Sequence, residues 1–144
     1  MFREDLNFEI ADSFEENFRT DAVLLPSFLA QQFKEGFLKF PIQPEELIPN
    51  SGQGAFGFLC LKSNLKMRKI LKRIHHKSTA AETNVERAIQ RDLNQPVVAF
   101  CKKNNLNHFH VYATALRDGQ LYHFSLSSST SVGLEERVVQ ELGG

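Results

Sequence analysis

At 144 residues the chain has the length of one ordinary domain, enough to bury a core, and 13 phenylalanines within 42% hydrophobic residues exclude an intrinsically disordered composition. No apolar run approaches the ~20 residues of a membrane helix. Net charge is zero but unevenly spread: residues 1–50 hold ten acids against four Lys/Arg, and residues 51–144 hold thirteen Lys/Arg against seven acids. The two halves can therefore attract each other or present separate surfaces to different partners.

MFREDLNFEIAD opens the chain with acids and lacks the basic and apolar regions of a signal peptide. Cys60 and Cys101 each lie in an apolar run, which predicts buried, reduced thiols and a cytoplasmic protein. One globular domain is expected over 1–144, with an acidic helical part at 1–50 and a basic helix plus sheet at 51–144.

Ser13 and Glu16 fit a capping box, and Phe14 and Phe18 fall four apart, so a helix is expected there. A second helix is expected from Pro26 through Phe28, Leu29, Phe33, Phe37 and Leu38, stopped by Pro41. Residues 41–50 read as a turn. Gly52, Gly54 and Gly57 form a G-x-G-x-x-G match without the preceding strand and following helix that a dinucleotide site requires, so a flexible loop is expected. The apolar run that follows, Phe56 to Leu61, reads as a strand.

From Ser63 the period changes to 3.6. Met67, Ile70, Leu71 and Ile74 make an apolar stripe, and Thr79 with Glu82 fits a capping box that restarts the helix beyond a break near 77–79. Ala81, Val85, Ala88, Ile89 and Leu93 then point inward, ending before Pro96. Val97–Cys101 is an apolar strand. Asp118-Gly119 predicts a type I′ hairpin turn in which residue i faces residue 237 − i. Alternation places Phe109, Val111, Ala113, Ala115, Tyr122, Phe124 and Leu126 on the core face, and His108, His110, Tyr112, Thr114, His123, Ser125 and Ser127 opposite. A last helix runs on Leu134, Val138, Val139 and Leu142. The expected fold is α+β, a two-layer sandwich of a mainly antiparallel four-stranded sheet (55–61, 97–101, 107–117, 120–128) with helices packed on one face.

Two patterns carry candidate chemistry. The basic stretch 62–77 holds seven Lys/Arg and no acid, and Lys66, Lys69, Lys72, Arg73 and Lys77 are positioned to contact phosphates. No aromatic residue interleaves with them, so stacking on single-stranded bases is not indicated. His108 and His110 stand two apart on one strand face, a spacing compatible with holding one metal ion. The run His108-Phe109-His110-Val111 is similar, over four residues, to the metal-binding signature of relaxases and rolling-circle replication initiators. That resemblance implies a divalent metal polarising a phosphodiester and a tyrosine nucleophile, for which Tyr112 is the residue on the same face. His123-Phe124-Ser125 similarly matches one half of the paired motif of the two-histidine phosphoesterases.

The leading expectation from sequence is a small cytoplasmic, non-enzymatic binding or regulatory domain. It would need no cofactor and no membrane, and its partner would be nucleic acid or an acidic protein surface met by the basic helix. The alternatives are a metal-dependent phosphodiesterase or nuclease using His108, His110 and Tyr112, and a pure protein-interaction module.

Overall fold

The computed structural model describes residue 7, residues 21–31, residue 36 and residues 38–143. The helix expected on Ser13–Phe18, and the part of the second helix on Phe33 and Phe37, lie outside the described residues. The chain divides into two compact units, Met1–Pro41 and Ile42–Gly144. In the first, one short helix, α1 (Ser27–Ala30), follows Pro26, whose carbonyl accepts from the amides of Leu29 at 2.9 Å and Ala30 at 3.2 Å. Proline suits that entry because it has no amide to leave unpaired.

The second unit is α+β. Its described elements are α2 (Leu65–Ile74), α3 (Lys77–Asp92), β1 (Val97–Lys103), β2 (Phe109–Arg117), β3 (Gln120–Ser128) and α4 (Leu134–Gly143). The strands form one antiparallel sheet in the order β1-β2-β3. Asp118 and Gly119 take φ of 51° and 77°, the two positive values a type I′ turn needs. The β2–β3 register is the one this turn dictates, from Arg117 opposite Gln120 to Phe109 opposite Ser128. A second hairpin joins β1 to β2. There Asn107 takes φ of 65°, and the Asn104 amide donates to the His108 carbonyl at 2.8 Å.

Alternation divides the sheet as expected. Ala99, Cys101, Phe109, Val111, Ala113 and Ala115 are buried against Val85, Ile89 and Leu93 of the α3 side and Leu134, Val138 and Leu142 of α4. Those helix residues recur every four positions, so each helix gives one stripe to a common core. Phe124 and Leu126 are partly buried against the same core. Tyr122, expected inside, is exposed and has the Arg117 guanidinium 4.4 Å from its ring centroid. It sits next to the hairpin tip, beyond the core cluster.

Among the described residues the sheet has three strands, not four. Residues 56–61 take no regular secondary structure and join no sheet, with Phe56 94%, Leu59 102% and Leu61 75% exposed. The cause lies at the edge of β1. Outward amides there are already taken: Ala99 N donates to Ser51 Oγ at 3.2 Å, Cys101 N to Glu86 Oε1 at 2.8 Å and Lys103 N to Glu82 Oε1 at 2.9 Å. A fourth strand would find these three donors already engaged on that side. Cys60, expected buried with this run, is accordingly exposed, whereas Cys101 is buried.

The helix break also differs from expectation. α2 ends at Ile74, and α3 starts at Lys77 with His76 as its cap, the ring Nδ1 accepting from Thr79 N at 3.3 Å. Glu82, expected to close a capping box with Thr79, instead lies inside α3 and turns toward β1.

Candidate functional site

Three arrangements in the second unit bring polar groups together. The first is the sheet face opposite the core. His110 is half-buried and held at both ring nitrogens, with Asn104 Nδ2 2.9 Å from Nε2 and Ser127 Oγ 2.8 Å from Nδ1. Asn104 Oδ1 accepts from the amides of Leu106 and His108, both at 2.9 Å, so its NH2 group is the one facing the ring. Nε2 therefore accepts and Nδ1 carries the proton, an assignment made from the bonding pattern. A ring engaged in this way has no lone pair free for a metal. His108 is exposed in the turn, and His123 bonds instead to Thr114 Oγ1 at 2.8 Å. Among the described residues, no three His, Cys, Asp or Glu side chains are grouped so as to hold a metal ion.

Tyr112 shares this face, and its phenol is pushed above its ordinary range. The first cause is a hydrogen bond to Glu45, followed by burial and the carboxylate's charge. The proton is thus held on the phenol, the reverse of what an attacking tyrosine needs. Sequence reasoning missed Glu45 because residues 41–50 carry no periodicity that would lay them on a sheet face.

The second arrangement is the β1 edge. Ser51 Oγ donates to the Ala99 carbonyl at 2.9 Å as well as accepting from its amide, and Gly52 N donates to Glu86 Oε2 at 2.6 Å. The glycine loop expected to be flexible is therefore pinned across this edge. Gly52 is required there by its φ of 75°. Glu86 is 4% exposed and bridges loop and strand. Its carboxyl is raised from the ordinary range chiefly by burial; the Cys101 and Gly52 amides oppose the rise, and Glu82 adds to it. Burial, with Glu86 and Glu82 nearby, pushes the Cys101 thiol up to about 12. At that value it is not a thiolate nucleophile at neutral pH.

The third arrangement is α2. Asn64 Oδ1 caps it by accepting from Met67 N at 3.0 Å, and Lys72 and Arg73 fall in its last turn, where cations suit the helix dipole. Lys66, Lys69, Lys72, Arg73 and Lys77 are all exposed, and no acid among the described residues forms an ion pair with them. The structure brings these five together on one helix and its continuation. It places them apart from the His110 face, whose partners come from the β1–β2 turn and β3.

Taken together these features define an α+β unit with an exposed basic helix and a carboxylate-braced sheet edge. No family model matches the chain. It is 29% identical over 106 residues to porphobilinogen deaminase of Streptococcus sanguinis (strain SK36), covering 71% of this chain and 35% of that protein. It is 35% identical over 68 residues to porphobilinogen deaminase of Listeria monocytogenes serotype 4a (strain HCC23), covering 44% of this chain and 22% of the relative. Porphobilinogen deaminase of Neisseria meningitidis serogroup A is 28% identical over 95 residues, covering 62% of this chain and 30% of the relative. The chain thus spans about a third or less of the length of these curated relatives.

These likenesses overturn the expectation of a non-enzymatic binding or regulatory domain contacting nucleic acid, because the relatives bear the name of an enzyme. A phosphodiesterase or nuclease and a pure protein-interaction module fit that name no better. The sequence reading erred by weighing a four-residue histidine pattern and a charge arc, whose residue types suit many surfaces. No helix among the described residues is long and apolar enough to cross a membrane.

Proposed function

We propose that this chain serves the reaction its relatives are named for, the deamination of porphobilinogen, as the counterpart of about a third of such an enzyme. One observation carries the reading: relatives from three genera, at 28–35% identity, bear one name. The geometry supports a binding and positioning part. Cys101 is protonated and buried, and Tyr112 is held by Glu45, so neither is an activated nucleophile. Porphobilinogen is a pyrrole bearing two carboxylates, and the unpaired cations Lys66, Lys69, Lys72, Arg73 and Lys77 are the surface that attracts it.

Titration of porphobilinogen into the 144-residue protein tests this, followed by calorimetry and by NMR shifts of α2 amides. Saturable binding is expected, weakened about tenfold in the double variant Lys69→Glu/Lys72→Glu, the equivalent of ~1.4 kcal/mol. Absence of heat and of shifts at millimolar porphobilinogen, with the fold intact, overturns the reading.

A further inference from the structure

α2 and α3 meet at a break that the backbone does not require. Residues 65–92 contain neither glycine nor proline, the usual causes of a sharp kink. Their apolar positions also keep one helical phase across the break, with Met67, Ile74 and Ala81 each seven residues apart. Yet α2 stops at Ile74, and His75 and His76 leave the helical region with ψ of 115° and 106° before α3 begins at Lys77. The group that starts the new helix is the His76 side chain. Its Nδ1 lies 3.3 Å from Thr79 N and 2.8 Å from Thr79 Oγ1. An amide hydrogen aimed at Nδ1 leaves no room for a proton there, so the ring is neutral and carries its hydrogen on Nε2. Serine, threonine, asparagine and aspartate are the preferred residues at this position, and none of them titrates between pH ~5 and ~8. A histidine cap does.

Charging the ring acts on α3 in two ways. A proton on Nδ1 turns the acceptor into a donor, which strands the Thr79 amide at the helix start. The positive charge then stands at the positive end of the helix dipole. The neighbours in the chain are themselves basic: His75 and Lys77 on either side, and Lys72 and Arg73 in the last turn of α2. α3 has no acid in its first turn. Glu82, one turn further on, is engaged by Ser78 Oγ at 3.2 Å and Lys103 N at 2.9 Å. Among the described residues no acid is hydrogen-bonded to the His76 ring to favour its charged form.

α2 is the element this junction governs. It buries none of its residues, so no buried face holds its direction. We propose that His76 is a proton-operated cap: neutral, it holds α2 and α3 at a fixed angle, and protonated, it releases the first turn of α3 and with it the direction of the basic helix. The exposed surface of Lys66, Lys69, Lys72 and Arg73 is then presented in one direction on the alkaline side of the ring's titration, and loses that direction on the acid side. No ligand takes part, so the switch stands apart from the porphobilinogen reading.

An NMR titration of the 144-residue protein from pH ~8 to ~5 tests it. Three signals are followed: the His76 ring, the Thr79 amide, and the residual dipolar couplings of α2 amides against those of β2. The Thr79 amide is expected to move with the midpoint of the His76 ring, and its exchange protection to fall about fivefold. The α2 couplings change over the same range while those of β2 stay constant. His76→Asn supplies an acceptor that does not titrate, and keeps both Thr79 protection and α2 couplings constant throughout. His76→Ala lowers Thr79 protection at both ends of the range. His75→Ala leaves the response in place, which separates the two neighbouring rings. A Thr79 amide or a set of α2 couplings indifferent to pH in the wild type overturns the inference, and so does a His76→Asn variant that responds as the wild type does.

Discussion

Two apolar runs of similar composition meet opposite fates: Val97–Cys101 becomes the edge of a packed sheet, and Phe56–Leu61 lies in solvent. The difference is not hydrophobicity. β1 is tied to β2 by a short turn that Asn104 and Asn107 stabilise, and its core face meets Ile89, which is 0% exposed. The run at 56–61 follows a loop anchored at Ser51 and Gly52 and leads into a helix that buries nothing. It pairs with no strand among the described residues, and the β1 edge is occupied by Ser51, Glu82 and Glu86. Burial is therefore decided by what a segment is connected to, and the apolar count only says that it needs a cover.

The largest effects are expected where the core closes. Ile89→Ala removes a side chain with no exposed surface, touching the sheet from α3, and should cost roughly 3–4 kcal/mol. Denaturant unfolding checks it, and a loss below ~1 kcal/mol would mean that this region is no better packed than the other. Glu86→Ala comes next. It strands the Cys101 and Gly52 amides at once, and about 2–4 kcal/mol is expected from the unpaired donors, less whatever water restores at Gly52. Glu86→Gln keeps one acceptor and should lose less.

The β2–β3 hairpin was legible because two independent signals agreed, a turn dipeptide permitting positive φ and strict alternation on both sides. The stripes of α3 and α4 were legible for the same reason, since Val85, Ile89 and Leu93, like Leu134, Val138 and Leu142, repeat at helical spacing. The edge of β1 was not. Glu82 and Glu86 read as solvated helix positions, and only the approach of the strand turns them into acceptors for its amides. Long-range hydrogen bonds such as Ser51 to Ala99 leave no periodic trace. The site was less legible still: the histidine face drew attention through composition, although Asn104 and Ser127 use both nitrogens of His110 for structure.

The pH response sharpens the same contrast, because a buried carboxylate lies at the packed edge and, among the described residues, none is hydrogen-bonded to 56–61. Glu86 is raised above its ordinary range, so the folded chain binds its proton more readily than the unfolded chain does. Its contribution to stability is then fully present below the ordinary glutamate range and is lost as pH rises through the folded value. Wild type compared with Glu86→Gln across pH 4–8, by denaturant midpoint at ~25 °C, isolates the group. The wild type should gain on the variant as pH falls. A gain in the opposite direction would mean that its two amide bonds outweigh burial.

The smallest effect is expected in the exposed helix, and it is the one that tests the comparison most directly. Ile70→Ala in α2 should change global stability by less than ~0.5 kcal/mol, although the same kind of truncation at Ile89 costs several-fold more. Ile70 is 47% exposed on a helix that buries none of its residues, so its removal leaves no enclosed cavity. Alanine also has the better helix propensity, which offsets part of any lost contact with Met67 or Ile74. The same logic fixes the exchange behaviour. Amides of α2 should open at a small fraction of the global free energy, whereas those of β2, between two strands, should exchange only with global unfolding. Native-state exchange measures both in one experiment. If α2 amides are protected to the level of β2 in the isolated chain, the helix already has a cover, and the division between a packed region and a waiting one fails.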